Sequence, residues 1–293
     1  MPMSMNNKEH IETYKTPGGV FAIDTVEDKQ IADRLRAGES HQKEAFDIFV
    51  SFLKEGDVVV DAGAHVGTFS IPLALQGYSV IAFEPSSAAF TLLEQNIALN
   101  GVSVDARNKG LGSQTSTASL RDGEDGNTGS RSLVDGAGTI EIARLDDQVP
   151  HADAIKIDVE GMELRVLQGA KKIIEASSPA VLFEVHLSQM RVYGSTPRAL
   201  QSYFSSRGYN LFLLTYDKNH IQVGKLWSLA LAVFCLAPGT IFFNRLSHAF
   251  DVLAVPKRRP MLLAHHGALY THIYIAGGKI IDVMRRAFGG LHR

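Results

Sequence analysis

The sequence predicts an α/β domain, a largely parallel sheet with helices on both faces. Three stretches carry that prediction. In Asp57–Ser70, three consecutive valines suit a strand covered on both sides, which runs through Asp61 into a turn holding Gly63 and Gly67 and then into a helix. Ser79–Phe83 is a short β-prone run that ends in Glu84-Pro85. Ala154–Ile157 alternates apolar residues up to Asp158, and helical periodicity then leads to another apolar run at Ala180–Val185. Strands alternating with helices imply parallel crossovers, and such sheets bind ligands beyond the carboxyl ends of their strands.

Composition narrows the classes. With 293 residues, 45% apolar content and a net charge of -2, the chain can build a large core and gives no global reason to expect nucleic acid. One cysteine, Cys235, excludes an internal disulfide and fits a reducing compartment. The first thirty residues lack an apolar h-region, so no cleavable secretory signal is expected and the protein is read as cytoplasmic.

From the amino terminus, Tyr14–Thr25 carries Pro17-Gly18-Gly19 between β-prone runs and predicts a small hairpin beside the site. Ala45, Phe46, Ile48, Phe49, Phe52 and Leu53 recur at helical spacing and predict a core-facing helix over 40–54. Thr68–Leu75 follows the glycine turn as a helix. Ser86 or Ser87 caps another, closed by Asn100-Gly101, before a third strand at Val102–Arg107. Residues 112–138, rich in Gly, Ser, Thr and Asp, read as a mobile loop beside the site. Helices over Glu163–Ile174 and Pro197–Arg207 and strands at Tyr209–Leu214 and Phe250–Pro256 complete the domain.

The turn discriminates between cofactors. A dinucleotide fingerprint needs G-x-G-x-x-G, so that pyrophosphate can sit on the helix N-terminus. Here the spacing is D-x-G-x-x-x-G, with an acid that repels phosphate but suits an ammonium group, which argues against a nicotinamide oxidoreductase. The stretch resembles the first motif of S-adenosylmethionine-dependent methyltransferases. Glu84, 17 residues beyond Gly67, stands where an acid can accept both hydroxyls of a ribose.

Taken in order, DAGAHVGTFS, FEP, KIDVEGMELRVLQGA and VLFEVH resemble the FkbM family of methyltransferases, over residues 18–256 and most strongly over 57–186. The resemblance implies a Rossmann-like class I methyltransferase fold with a seven-stranded mixed sheet, the last two strands antiparallel. It also implies S-adenosyl-L-methionine as cofactor and methyl transfer to a hydroxyl of a sugar, glycan or secondary metabolite. The expected cofactor residues are Asp61, Gly63, His65, Gly67, Glu84 and Asp158. His65 replaces the family's usual asparagine and is read first as a neutral turn residue, with a titrating imidazole as the alternative. Removing a hydroxyl proton calls for a carboxylate or an imidazole, so Asp158, Glu160, Glu184 and His186 are the candidate catalytic residues, with His186 closest in ordinary pKa to a neutral-pH base. No His or Cys spacing signals a metal site.

The carboxyl-terminal third adds an apolar insertion and a basic tail. Residues 226–244 run 19 positions without a charge, but Pro238-Gly239 interrupts them, and a spanning helix would strand the last β-strand across a membrane from its sheet. A hairpin packed on the domain, a homodimer contact and a lobe dipping into one leaflet stay open. Residues 257–293 hold seven Lys or Arg against Asp282, and 279–288 form a basic amphipathic pattern that suits anionic lipid or docking on the domain. The division expected is 1–56 as a cover, 57–256 as the methyltransferase domain with its insertion at 225–245, and 257–293 as a tail. A non-catalytic, membrane-associated cofactor-binding module is the alternative function.

Overall fold

In the computed structural model, which describes residues 10–40, 42–121, 132–136, 138–214, 220–222 and 249–257, the chain opens with an antiparallel hairpin, β1 (Ile11–Thr16) and β2 (Gly19–Asp24). Helices α1 (Lys29–Arg36) and α2 (Lys43–Val50) follow. Then come β3 (Val58–Ala62), α3 (Ser70–Leu75), β4 (Ser79–Phe83), α4 (Ser87–Asn100) and β5 (Val104–Arg107). Ser86 caps α4 by accepting the Ala89 N–H, and Gly101 ends it in the left-handed region that glycine tolerates.

The second half of the central sheet comprises β10 (Ala154–Ile157) and β11 (Ala180–His186), joined through α5 (Glu163–Gly169) and α6 (Lys171–Ser177). It continues with α7 (Leu187–Val192), α8 (Pro197–Ser205), β12 (Tyr209–Leu214), β13 (His220–Gln222) and β14 (Ala249–Pro256). The strand order is β13-β12-β14-β11-β10-β3-β4-β5. Successive strands therefore step outward in opposite directions from the β3/β10 pair, which opens a crevice at their carboxyl ends.

Period-two alternation divides the core. Val60, Ala62, Ile155, Ile157 and Phe183 pack one face against Val166, Leu167, Leu200 and Phe204, while Val59, Ala154, Leu182 and Leu253 pack the other against Phe46, Phe49, Phe69 and Leu73. The hairpin is fastened by α4. The buried Asn96 side chain accepts the Ala22 N–H at 2.7 Å and donates to the carbonyls of Ala22 and Val66, and Asn100 repeats the pattern one turn later on both polar backbone groups of Val20.

Several expectations change. The last two strands expected, β12 and β14, do run antiparallel to each other, and β14 is also antiparallel to β11, but the short β13, antiparallel to β12, adds an eighth strand beyond the seven expected. The region read as a loop contributes to a second sheet, order β6-β9-β7-β8, built from β6 (Gly110–Leu111), β7 (Ser116–Arg121), β8 (Ser132–Asp135) and β9 (Ile140–Ala143). Alternation explains it, since Ala118 is buried between exposed polar neighbours. The helix expected over Glu163–Ile174 divides at Ala170, and α1 and α7 were not anticipated. The apolar insertion and the basic tail lie outside the described residues. Among the described residues no helix is long and apolar enough to cross a membrane.

Candidate functional site

The turn after β3 is held by its own protein contacts. The Gly63 and Ala64 N–H groups both donate to the Phe83 carbonyl, the His65 N–H donates to Glu84 Oε2 at 2.8 Å, and the Gly67 N–H donates to the Ala64 carbonyl. A Cβ on Gly63 would stand 1.9 Å from the Asp158 carbonyl oxygen, and one on Gly67 would stand 2.7 Å from Leu93 Cδ1. The missing side chains thus make room for neighbouring protein atoms. The close approach locks the first glycine turn onto the end of β10.

Below the turn lies Lys156, the direct register partner of Asp61 on the adjacent strand. Its Nζ donates to the Gly63 carbonyl at 2.8 Å and stands 3.1 Å from Asp61 Oδ1 and 3.6 Å from Asp158 Oδ2. Burial alone would discharge Lys156, but Asp61, then Asp158, outweighs it and its pKa is raised. Asp61 is fully buried and also accepts from Ser70 Oγ, so a direct contact with a ligand's ammonium group, as expected from sequence, has no exposed oxygen to make it.

His65 and Glu84 form the wall facing β4. His65 adopts a left-handed backbone and its Nε2 stands 3.2 Å from Asp28 Oδ1, at the start of α1. Burial disfavours the imidazolium, but Asp28 and then Glu84 raise the pKa above the ordinary value. Glu84 is buried at the end of β4 and accepts from the N–H groups of His65 and Ser86. Burial raises its pKa, against the pull of His65.

On the other side of the crevice the four candidate catalytic residues meet. His186 lies between Glu160 and Glu184, with Nδ1 3.5 Å from Glu160 Oε2 and Nε2 3.4 Å from Glu184 Oε1. Asp158, Glu184 and His186 each offer a donor atom within 4.8 Å of the others. Burial opposes the His186 imidazolium, and Glu184 with Glu160 overrides it, pushing the pKa up to about 10. Burial pushes Glu160 up to about 8 and Glu163, which accepts the Gly161 N–H, up to about 7. An imidazole already protonated cannot take a further proton, so His186 loses the advantage its ordinary pKa gave it.

Four more residues join this site without having been singled out as site candidates from sequence. Lys156 was the nearest to legible, because an alternating strand places it on the same face as Asp158. Asp251 lies opposite Glu184 in the β14/β11 register, and burial with Glu184 and Asp158 pushes it up to about 7; its signal was a single acid in an apolar strand. Gln42 and Asp28 had none. Gln42 reaches from the start of α2 to place its amide nitrogen 3.5 Å from both Asp158 Oδ2 and Glu184 Oε2. Of the four non-glycine residues with positive φ among the described residues, Gln42, His65 and Glu160 are at this site, a concentration of strained backbone typical of working sites.

Residues 61–211 match the family model described as Methyltransferase FkbM domain. Among curated relatives, the chain is 26% identical over 172 residues to the hexuronic acid methyltransferase AglP of Haloferax volcanii, covering 57% of this chain and 70% of that protein. It is 47% identical over 53 residues to a tRNA (guanine(37)-N(1))-methyltransferase of Aedes aegypti, covering 18% of this chain and only 9% of that longer protein. Among solved structures, Methyltransferase FkbM from Methylobacillus flagellatus aligns with a TM-score of 0.39 at 17% identity, over 65% of this chain and 57% of that one.

Proposed function

The chain belongs to the FkbM methyltransferase family, and from that premise we propose that it moves the methyl group of S-adenosylmethionine to a hydroxyl oxygen of a sugar or glycan. The dependence on that cofactor comes with the family. The observation that supports the acceptor class is the convergence of Asp158, Glu184 and His186 within 4.8 Å beside the glycine turn, because a neutral alcohol must lose its proton as it attacks. The curated hexuronic acid methyltransferase that the chain resembles is a sugar enzyme by name.

The residues fit the cofactor's charges. When bound, S-adenosylmethionine brings a sulfonium and an ammonium group, and the crevice is lined by carboxylates. Asp158, 22% exposed, takes the ammonium role for which Asp61 is too deeply buried. Asp61 works from beneath, holding Lys156 and Ser70 under the turn. Glu84 keeps lone pairs beyond its two backbone contacts and accepts the ribose hydroxyls. Bound S-adenosylmethionine would supply an electrophilic methyl carbon to the acceptor oxygen, with the thioether as leaving group. The acceptor's proton goes to the Glu184 carboxylate at the crevice, which the His186 imidazolium positions together with Glu160.

The short tRNA methyltransferase match supports a second reading, an RNA acceptor. The acidic crevice disfavours a phosphate backbone there. Contact of 225–245 and 279–288 with a membrane, a homodimer through the insertion, and a cytoplasmic location remain proposals on segments outside the described residues. Calorimetric titration with S-adenosylhomocysteine, on the wild type and on Glu84→Ala, tests the cofactor pocket. Methyl-labelled S-adenosylmethionine offered with uronic-acid oligosaccharides or with tRNA then tests the acceptor. Labelling of the oligosaccharides supports the sugar reading, and labelling of tRNA alone overturns it.

A further inference from the structure

The carboxyl ends of β10 and β11 carry more carboxyl groups than nearby cations. Asp158, Glu160, Glu163, Glu184 and Asp251 gather there, and the nearby cations are His186 and Lys156, the second of which is already committed to Asp61. Asp251 stands directly opposite Glu184 in register, a like-charged pair that costs stability on a sheet.

The distances are unusual in a consistent way. His186 to Glu184 is 3.4 Å, His186 to Glu160 is 3.5 Å, and the Gln42 amide is 3.5 Å from both Asp158 and Glu184. Charge-assisted hydrogen bonds close to about 2.7–2.9 Å. These groups converge and stop short. One donor atom each from Asp158, Glu184 and His186 lies within 4.8 Å of the others, a spread that a single bound ion would draw together. Independently, His186 Nε2 is buried with no hydrogen-bond partner among the described residues, although it points into a group of carboxylates. The Gln42 side chain presents an amide whose oxygen and nitrogen exchange places by a simple flip, so it offers a neutral oxygen from a third segment.

We propose that Asp158, Glu184 and His186, with the Gln42 amide as a further oxygen donor, bind one divalent metal ion at the mouth of the crevice. Two carboxylates and one imidazole suit a first-row ion such as Mn²⁺. The ion takes the place of the proton on His186 and relieves the repulsion among Asp158, Glu184 and Asp251. With the ion bound His186 is a neutral ligand and Asp158 and Glu184 hold the metal, which revises the roles given above. The ion's consequence rests on the methyl-transfer reading: it would lower the pKa of an acceptor hydroxyl that meets it.

The test is Mn²⁺ binding to the full chain, followed by electron paramagnetic resonance of free Mn²⁺ and by calorimetry, for the wild type, Asp158→Asn, Glu184→Gln and His186→Gln. One saturable ion per chain, weakened more than about tenfold in each variant, is the expected result. Circular dichroism and melting curves identify any variant that fails to fold, and Asp158→Asn, at the partly exposed mouth, then decides alone. Absence of saturable binding, or binding unchanged by these substitutions, overturns the proposal. Titration with S-adenosylhomocysteine in the absence of metal keeps the two readings distinct, since retained cofactor binding without Mn²⁺ binding removes the metal site and leaves the methyltransferase.

Discussion

Lys156 Nζ stands 3.1 Å from Asp61 Oδ1, and the two residues face each other on adjacent parallel strands at 5% and 0% exposure. A charge pair so deep stabilises little by itself, but either half left alone is expensive. Lys156→Met leaves Asp61 buried without its counter-charge and frees the Gly63 carbonyl. The expected cost is about 3–5 kcal/mol in chemical denaturation, partly recovered by adding Asp61→Asn. A single substitution that unfolds at the wild-type denaturant midpoint would show that the pair carries no structural weight.

The two glycine motifs are joined by an atomic contact. Gly63→Ala places a methyl carbon 1.9 Å from the Asp158 carbonyl, whereas Gly77, with a similar positive φ, has nothing within 4 Å. Gly77→Ala should cost only the left-handed strain of about 1–2 kcal/mol. Gly63→Ala should cost more and also abolish S-adenosylhomocysteine binding, because it pushes Asp158 out of the crevice. Equal melting temperatures for the two variants would contradict this.

Asn96 serves three buried backbone groups, the N–H and carbonyl of Ala22 and the carbonyl of Val66. Asn96→Ala leaves all three without their partner, an expected loss on the order of 3 kcal/mol. The damage should fall on the hairpin, so limited proteolysis should cut within the first forty residues before the central sheet is attacked. Uniform protection at the wild-type rate would show that α4 does not fasten the hairpin.

His65 and Asp28 supply a pH dependence. Asp28 and Glu84 raise the His65 pKa in the folded state despite burial and the opposing charge of Lys156. A raised value means that the charged imidazole stabilises the fold fully below its unfolded pKa of about 6.5 and that this contribution disappears as pH climbs through the folded pKa. The stability difference between wild type and Asp28→Asn should therefore be widest below about pH 6.5 and narrow as pH rises through the folded pKa. A difference that widens with rising pH would reverse the assignment.

Much of the fold was legible because it rests on local regularities. The valines of β3, the alternation of β10, the Ser86 cap and the Asn100-Gly101 stop are signals confined to a few residues, and the corresponding strands and helices lie where those signals put them. Asp61, Glu84, Asp158 and Glu184 were also accessible, since each stands at or near the carboxyl end of a strand that the pattern identifies. The sequence by itself thus determined the strand ends and the acids they carry.

The tertiary structure decided what those acids do. Asp61 was paired with Lys156 only when β3 and β10 became neighbours, and burial then removed it from the ligand side. The His186 pKa rose because two glutamates closed on it from different segments. Gln42 met Asp158 and Glu184 across sequence separations of 116 and 142 residues, which no periodicity records. Protonation, pairing and ligand reach depend on burial and on neighbouring charges, and both are properties of the assembled crevice rather than of any stretch of chain.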